Sequence, residues 1–462
     1  MTKPTPPFVS GALPVLGHAL EYRSNLTPLL RRGYQEHGPV FALKLANQNV
    51  AVVAGPANQS TFFLETDKAL NMDKPYGFLR AIFGEVAFLA SHETYVEQRH
   101  ILHEPFRRAK MKRYIEIMQE QTQNWLADLG QEGEIEITGA MNRLVQNVAG
   151  YALMGEAFQQ SVGPEFWALY GDLGRALDPL IPPHWPLPKF RRRDRAKARM
   201  IEILRPIIAE RRAHPERYDD FLQDFVNARY KDGRELEDDA LFSLILGLNF
   251  AGHETTAGQS AWTIILMLQN PWYIDLVRAE LAAKLPYGAP FDAALVNDLD
   301  HIAWAVRETE RLRPSAEMVM RHAEQDIEFG DFLVPAGWLV QTAAMVAHYL
   351  PEWFRDPETY DPLRFAPGRE EDKQHRFSLI GFGGGVHKCA GMNFANTEMS
   401  IIAALLFQQF DLKLLSPNPR VLNGMGAARP TPTLIHYKRR YPHISPPPPP
   451  LVVTASAVHP LS

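Results

Sequence analysis

A single cysteine, Cys389, constrains this 462-residue chain more than any other residue, because it excludes an internal disulfide and a metal site made of cysteines alone. Three roles remain open to it: an inert thiol in the core, a catalytic nucleophile, or a metal ligand that acts without other cysteines. It lies in a glycine-rich segment, Phe382-Gly-Gly-Gly-Val-His-Lys-Cys-Ala-Gly391. The three consecutive glycines allow positive φ and a close approach to a flat or bulky group.

The residues that follow this segment, 392–406, have the periodicity of a helix. A thiolate just ahead of a helix is stabilised by the free backbone N–H groups and by the positive end of the helix dipole. This arrangement favours an ionised Cys389 over an inert thiol in the core.

The segment resembles the haem-binding signature of the cytochrome P450 superfamily, Phe-Gly-x-Gly-x-His-x-Cys-x-Gly, at all six fixed positions. The resemblance implies the cytochrome P450 fold, which is mainly α with a smaller β-rich part. In that fold, haem b (iron protoporphyrin IX) lies between a long distal helix and the helix after the cysteine loop. Cys389 would bind the iron as a thiolate and favour O–O cleavage, with Phe382 and Gly383 beside the haem.

The length allows about three domains by the usual prior, but we find no internal linker rich in Gly, Ser or Pro and no repeat. The sequence therefore predicts one cytochrome P450 domain over residues 1–440. Residues 441–462 form a proline-rich tail that contains five consecutive prolines, 446–450. Such a run favours an extended polyproline segment or a poorly packed terminus.

The composition bounds the partners and the location. A net charge of −5 gives no case for binding nucleic acid. The N-terminus has no signal-peptide core, and the chain has no run of about 18 or more apolar residues. We therefore expect a cytoplasmic monomer without a membrane anchor, similar to the bacterial members of the family.

The hydrophobic periodicity and the positions of glycine and proline indicate the secondary-structure elements. We expect an amphipathic helix over 26–37 and a mostly helical region from about 92 to 310. The prolines of 178–188 interrupt that region. Strands are predicted at 40–46 and 50–54, joined by Asn-Gln-Asn, and in the short apolar runs after 325.

Residues 241–268 predict a long, buried helix whose centre, Ala251-Gly-His-Glu-Thr-Thr256, breaks the rules for a buried helix. Glycine in mid-helix costs about 1 kcal/mol relative to alanine, and the two threonines can bond back to the i−4 carbonyl. A buried glutamate also needs a partner. Taken alone, the centre is equally consistent with a polar turn that faces solvent or another helix.

The same centre resembles the oxygen-handling motif of the family. The resemblance implies that Gly252 makes room for dioxygen, that Thr255 supplies a hydrogen-bonding hydroxyl there, and that Glu254 supplies protons. Reduction of oxygen needs two protons at the distal side, and an alcohol beside a carboxylate suits that task. An isomerase or dehydratase on this fold would not need the pair.

Glu308 and Arg311 are spaced i, i+3 and therefore lie on one face of a helix. By resemblance to the Glu-x-x-Arg motif and to a downstream arginine motif, they and Arg364 would form a buried charge triad that assembles the core. Glu310 and Arg313 offer a competing register, but the spacing to the following proline favours the first pair.

The two propionates of a haem need cationic or hydrogen-bonding partners. The resemblance places His387 and Arg321 at two propionate positions and Tyr76 near the haem edge. Arg99 follows Tyr95 by four residues, where many members have Trp-x-x-x-Arg. The resemblance therefore implies a third cation at Arg99.

One branch of the family is similar over most of the chain. The segment from Tyr76 to Phe88 resembles the signature of sterol 14α-demethylases, as do 178–180, 190–195 and 260–263. That branch usually has histidine before the catalytic threonine, whereas this chain has glutamate, the general pattern of hydroxylases. Glu317 adds a charge where the pocket wall of the branch is usually apolar.

Apolar side chains near these motifs are candidates for a substrate pocket, although such residues equally build cores. Together they favour a large apolar ligand such as a sterol, terpenoid or fatty acid. The candidates are Tyr76, Phe78, Leu79, Phe83, Phe250, Ala251, Met318 and Val319.

Residues 107–113 carry five cations in seven residues. They form either a solvated helix face or, with Lys388, a docking patch for an acidic electron donor. We find no flavin or iron–sulfur domain in the sequence. Electrons would therefore come from a separate ferredoxin or flavodoxin, unless the enzyme uses peroxide.

The sequence thus predicts a haem-thiolate monooxygenase that oxidises a small lipophilic molecule with O2. A sterol or triterpenoid is favoured, in a reaction similar to sterol 14α-demethylation, over a fatty acid or another terpenoid. Two other classes remain as alternatives: a haem-thiolate isomerase or dehydratase that needs no external electrons, and a haem-based sensor without turnover.

Overall fold

The computed structural model describes residues 3–85, 92–178, 181–289, 291–423 and 427–441. Three parts of the sequence predictions lie outside these residues. They are the end of the sterol demethylase-like segment at 86–88, Pro179 and Leu180 of the proline-rich interruption, and the tail from residue 442 onward. Among the described residues, no helix combines the length and apolar character needed to cross a membrane.

Helices make up most of the described chain, as predicted. A π-helical turn, Gly150–Met154, follows α8. The α-helices are α1 Ala19–Ser24, α2 Leu26–His37, α3 Pro56–Leu64, α4 Asp73–Tyr76, α5 Arg80–Phe83, α6 His92–His103, α7 Arg108–Asp128, α8 Ile137–Ala149, α9 Glu156–Ser161, α10 Gly163–Gly174, α11 Pro188–Ala213, α12 Phe221–Asn227, α13 Asp238–Gln269, α14 Pro271–Lys284, α15 Leu295–Asp298, α16 Asp300–Leu312, α17 Ala344–Ala347 and α18 Met392–Gln409.

The strands form the smaller part. They are β1 Val40–Leu45, β2 Gln48–Val53, β3 Leu70–Asn71, β4 Glu132–Glu136, β5 Met318–Ala323, β6 Ile327–Phe329, β7 Phe332–Val334, β8 Leu339–Ala343, β9 Phe410–Leu414, β10 Val421–Asn423, β11 Ala428–Pro430 and β12 Leu434–Arg439. The largest sheet has the order β1-β2-β8-β5-β3, with β2 and β8 parallel. Its inner strand β5 carries Arg321 toward the site described below.

Most element predictions agree with the structure. The amphipathic helix over 26–37 is α2, the long buried helix is α13, and the helix after the cysteine is α18. The prolines of 178–188 also start a helix, because Pro188 occupies the first turn of α11, where its missing N–H costs nothing.

The connection between the first two strands differs from the prediction. Gln48 and Asn49 belong to β2, and only Ala46 and Asn47 form the turn. Ala46 adopts a positive φ of 51°, which a two-residue connection of antiparallel strands requires. The tight turn lets the ladder continue to the Leu45–Gln48 pair. Gln48 and Asn49 therefore belong to the paired strand and not to the connection.

The core is built around α13, which packs against α8, α16 and α18. Residues 256–268 of α13 are all buried. Since α18 begins directly after the cysteine loop, the packing of α13 on α18 fixes the loop relative to the centre of the long helix. A second hydrophobic cluster, which includes Phe62, Phe63 and Phe377, supports the loop from the side of the large sheet.

Candidate active site

The cysteine loop, residues 381–391 before α18, depends on its glycines for its backbone conformation. Gly383 and Gly385 have φ values of 69° and 67°, a region that side chains rarely adopt. A Cβ on Gly385 would lie 2.5 Å from the carbonyl oxygen of Phe63, so no larger residue fits there. The loop closes through a hydrogen bond of 3.0 Å from the N–H of Cys389 to the carbonyl of Phe382.

Cys389 is exposed at the end of this loop. Enough protein surrounds the sulfur that burial raises the pKa of its thiol, whereas the backbone N–H groups of Gly391 and Met392 favour the thiolate. A metal ion at the sulfur would displace the proton outright. The accessible thiol, the glycine cradle and the N–H groups at the helix start therefore fit a thiolate that binds iron.

The centre of α13 faces open space. The helix is continuous, but none of residues 250–255 is fully buried, and Ala251 and Gly252 are exposed. A Cβ added to Gly252 would meet no described atom within 4 Å. The hydroxyl of Thr255 donates a hydrogen bond of 2.6 Å to the carbonyl of Ala251. This back-bond fixes the orientation of the hydroxyl at the open side of the helix.

The two ionisable residues of this centre have different surroundings. His253 contacts α8, where its Nε2 lies 3.1 Å from the carbonyl of Asn142, and burial lowers its pKa. Burial raises the pKa of Glu254, while the charge of Arg429 on β11 opposes that shift. The raised pKa favours the neutral form of Glu254, in which a carboxyl group can donate a proton. The sequence offered no sign of Arg429.

Two side chains tie α13 to the segment that leads into β5. Ser315 donates a hydrogen bond of 2.9 Å to the carbonyl of Thr255. One turn further on, the amide of Gln259 donates to the carbonyl of Arg313. These contacts hold the backbone of Thr255 in place, and sequence reasoning missed both of them.

Two of the predicted propionate partners, Arg321 and His387, contact the consecutive residues Thr66 and Asp67. Arg321 is 3% exposed, and its Nε lies 3.1 Å from the hydroxyl of Thr66. The ring of His387 lies 2.7 Å from the carboxylate of the next residue, Asp67. Tyr76 joins the group by accepting a hydrogen bond of 3.0 Å from the N–H of Met320, adjacent to Arg321.

The second ring nitrogen of His387 is a specific sign of a missing acceptor. Nδ1 is buried and has no hydrogen-bond partner among the described residues. The ring of Tyr95 packs on His387 with centroids 4.0 Å apart, and the Tyr95 hydroxyl donates to the carbonyl of Val386. A haem propionate would accept a hydrogen bond from Nδ1 when both ring nitrogens carry a proton, and would place its charge near Arg321.

Arg99 is exposed and lies against Tyr95. Burial raises the pKa of Tyr95, and Arg99 opposes this shift by its charge and as a hydrogen-bond donor to the phenol. The structure therefore places Arg99 beside Tyr95, which in turn packs on His387. Tyr95 stands where many family members have tryptophan.

Glu308, Arg311 and Arg364 form one cluster, and all three are 0% exposed. Arg311 binds both carboxylate oxygens of Glu308 at 2.8 Å, and Arg364 binds the same carboxylate at 3.0 Å. A second carboxylate, Glu371, lies 2.5 Å from Arg364 and balances the charge. The competing pair does not form: Arg313 contacts Tyr349, and Glu310 lies at the cysteine loop.

The pocket candidates divide by burial. Leu79 and Phe83 are 8% and 1% exposed and pack in the core, with the ring of Phe83 at 4.7 Å from that of Phe250. Accessible surface remains on the other six candidates, which are Tyr76, Phe78, Phe250, Ala251, Met318 and Val319. It also remains on Glu317, the charge expected near the pocket wall. Burial raises the pKa of Glu317 to about 7. This carboxyl lines a cavity of about 230 Å³ together with Trp262 and Arg313.

The cations of 107–113 are partly neutralised. Arg107 pairs with Glu104, Lys110 with Asp224, and Arg113 with Glu116. Lys388, next to the cysteine, is exposed. The positive patch is therefore weaker than its composition indicates.

Comparison with known proteins agrees with this geometry. The family model for cytochrome P450 matches residues 6–436. The chain is 32% identical over 451 residues to sterol 14-demethylase of Arabidopsis thaliana, covering 95% of this chain and 92% of that protein. It is 29% identical over 444 residues to sterol 14alpha-demethylase of Mycolicibacterium vanbaalenii, covering 94% and 98%. The solved structure of retinoic acid bound cyanobacterial CYP120A1 matches with a TM-score of 0.86 and 27% identity, over 95% of this chain and 100% of that chain.

Proposed function

The chain belongs to the cytochrome P450 family, and on that basis we propose that it oxidises a sterol or triterpenoid. It is a cytochrome P450 monooxygenase with haem b as its cofactor. The observation that carries the choice of substrate is the similarity to sterol 14-demethylases, which extends over 94–95% of the chain in both plant and bacterial relatives.

The residues that would hold the haem are those whose geometry fits it. Cys389 would bind the iron, and His387, Arg321 and Tyr76 would bind the propionates, with Arg99 at the edge. Bound haem supplies the iron at which dioxygen is reduced. We propose that residues 1–440 form the one domain that builds this site.

The chain itself would supply the protons. Thr255 holds its hydroxyl at the open side of α13, and Glu254 lies next to it with a raised pKa. A protonated carboxyl group can donate a proton and take up another from solvent, while the hydroxyl passes the proton on. Removing the hydroxyl would interrupt this transfer.

Replacement of Thr255 by alanine is expected to uncouple electron use from product formation by at least about tenfold, since proton transfer by a positioned group contributes about 10²–10⁴-fold. The measurement is the ratio of product formed to O2 consumed. Thr255→Ser keeps the hydroxyl and serves as the control, with coupling within about twofold of the parent. Full coupling in Thr255→Ala would contradict the proposed role.

The substrate is tested by titration of the haem protein with three compound classes: lanosterol-like sterols, other terpenoids and fatty acids. A sterol or triterpenoid is expected to shift the Soret band to its high-spin position at micromolar concentration, because the accessible candidates on α13 and β5 are largely apolar. A shift with fatty acids alone would overturn the assignment to sterols.

One observation favours a second substrate class, other terpenoids. The similar solved structure with retinoic acid contains an isoprenoid acid, and Glu254 replaces the histidine usual in sterol demethylases. A high-spin shift with retinoids but not with sterols would select hydroxylation of such a terpenoid.

We propose further that a separate ferredoxin or flavodoxin donates the electrons. Lys388 is exposed beside the cysteine, and charged contacts of that kind raise the rate of encounter with an acidic partner. Because three cations of the 107–113 segment already have acidic partners, we assign Lys388 the larger share of this contact.

A further inference from the structure

Glu310 lies in a place that the buried charge cluster does not explain. It is two residues after Glu308 on α16, but its side chain reaches the cysteine loop and packs on Gly381. A Cβ on Gly381 would lie 2.4 Å from the Cγ of Glu310, so only glycine allows this approach. The N–H of Gly381 acts on the carboxyl as a hydrogen-bond donor.

Glu310 lacks the ion pairs that its neighbours on α16 form in the described structure. Glu308 holds two arginines, and Arg307 pairs with Asp372. Among the residues that the structure describes, Glu310 has no ion pair of its own and is only 9% exposed. A buried carboxylate without an ion pair is costly, which suggests a role other than stabilising the core.

Glu310 lies close to the iron ligand by geometry. It packs on Gly381, and the carbonyl of the next residue, Phe382, accepts the hydrogen bond of 3.0 Å from the N–H of Cys389. Burial raises the pKa of Glu310 to about 7, against the opposing charges of Arg307 and Lys388. A carboxylate on α16 and the ammonium group of Lys388, which adjoins Cys389 in the sequence, thus carry opposite charges near the ligand.

We propose that Glu310 tunes the reduction potential of the haem through Cys389. A negative charge held against the loop that carries the thiolate disfavours the arrival of another electron at the iron, because the interaction passes through protein of low dielectric constant. Glu310 is thus a positioning residue that touches the cysteine loop through Gly381. This inference depends on haem bound to Cys389 and not on the proposed substrate.

The test is the reduction potential of the substrate-free haem protein, measured by spectroelectrochemistry at pH 8, where a carboxyl with a pKa near 7 is mostly ionised. Glu310→Gln keeps the shape and an acceptor for Gly381 but removes the charge. It is expected to raise the equilibrium constant for reduction by about three- to tenfold. Tenfold corresponds to about 59 mV for one electron.

Two variants separate charge from packing. Glu310→Asp keeps the charge, and its potential is expected to stay close to that of the parent. Glu352→Gln removes an exposed carboxylate elsewhere and is expected to have no effect, since solvent screens it. A Glu310→Gln potential equal to that of Glu352→Gln would overturn the proposal, as would equal shifts in the Gln and Asp variants of Glu310.

A variant of opposite sign keeps the proposal testable if Glu310→Gln does not retain haem. Lys388→Gln removes the compensating cation and is expected to lower the equilibrium constant for reduction by about twofold, a smaller change because Lys388 is exposed. An unchanged or raised constant in Lys388→Gln would then reject the tuning by charge. Because no substrate is present, failure of the sterol assignment would leave these potentials unaltered.

Discussion

Replacement of Cys389 by serine is expected to abolish the red-shifted Soret band of the reduced, CO-bound protein and to lower turnover by at least about a hundredfold. Removal of a group that merely supports a metal ligand typically costs about 10–100-fold, and here the ligand itself is lost. The thiolate is also the source of the electron density that favours O–O cleavage. Serine retains the size of the side chain but not this electron donation.

The measurement combines the absorbance spectrum under CO with the rate of product formation. Lys388→Ala, next to the ligand, is the matched control for the spectrum alone, because it removes an exposed side chain and leaves the sulfur in place, whereas its turnover depends on the proposed donor contact. It is expected to keep the thiolate band. A serine variant that retains the red-shifted band would show that another residue binds the iron, and the description of the loop would be wrong.

The parts of the site that could be predicted are those with local signals. The glycines before Cys389, the helix after it and the unusual centre of α13 all lie within short windows, where backbone preference and periodicity decide the structure. The i, i+3 spacing of Glu308 and Arg311 is equally local. For these residues, sequence and structure agree closely.

The parts that could not be predicted are contacts between distant residues. Asp67 and His387 are separated by 320 positions, and Arg429 approaches Glu254 only because β11 packs on α13 at Gly258. Glu371, which balances Arg364, has no motif at all. Single-residue patterns contain no information on such pairs, since the fold alone brings them together.

Glu310 shows how a weak sequence signal can become informative. The sequence offered it only as a competing member of a Glu-x-x-Arg pair with Arg313, and the structure separates the two residues. Glu308 binds both arginines of the cluster, which leaves Glu310 to reach the cysteine loop. The failure of the competing Glu310–Arg313 pair thus places a carboxyl group at the cysteine loop. Glu254 is the carboxyl group on the opposite side of the site.

The second large effect is expected from Glu308. Its carboxylate is the only carboxylate in the described structure that joins Arg311 and Arg364 directly, and all three side chains are 0% exposed. Replacement by leucine leaves two buried guanidinium groups without this partner. Breaking a buried ion pair from one side costs about 3–5 kcal/mol, against a total stability of about 5–15 kcal/mol for a typical protein.

We therefore expect Glu308→Leu to lower the free energy of unfolding by at least about 3 kcal/mol and to reduce haem incorporation. Urea denaturation followed by fluorescence gives the first quantity, and the ratio of Soret to protein absorbance gives the second. The control is Glu358→Leu, an exposed carboxylate that pairs with Arg31 at the surface, for which the loss is at most about 1 kcal/mol.

The expected loss of stability includes more than the two ion pairs, because the arginines of the cluster also bind backbone carbonyls. Arg311 also donates to the carbonyls of His348 and Pro357, and Arg364 to that of Arg355, so the two guanidinium groups bind the backbone that precedes the cysteine loop. Loss of Glu308 would free both arginines from α16 and loosen that segment. A Glu308→Leu protein with unchanged stability would mean that these backbone contacts suffice without the carboxylate.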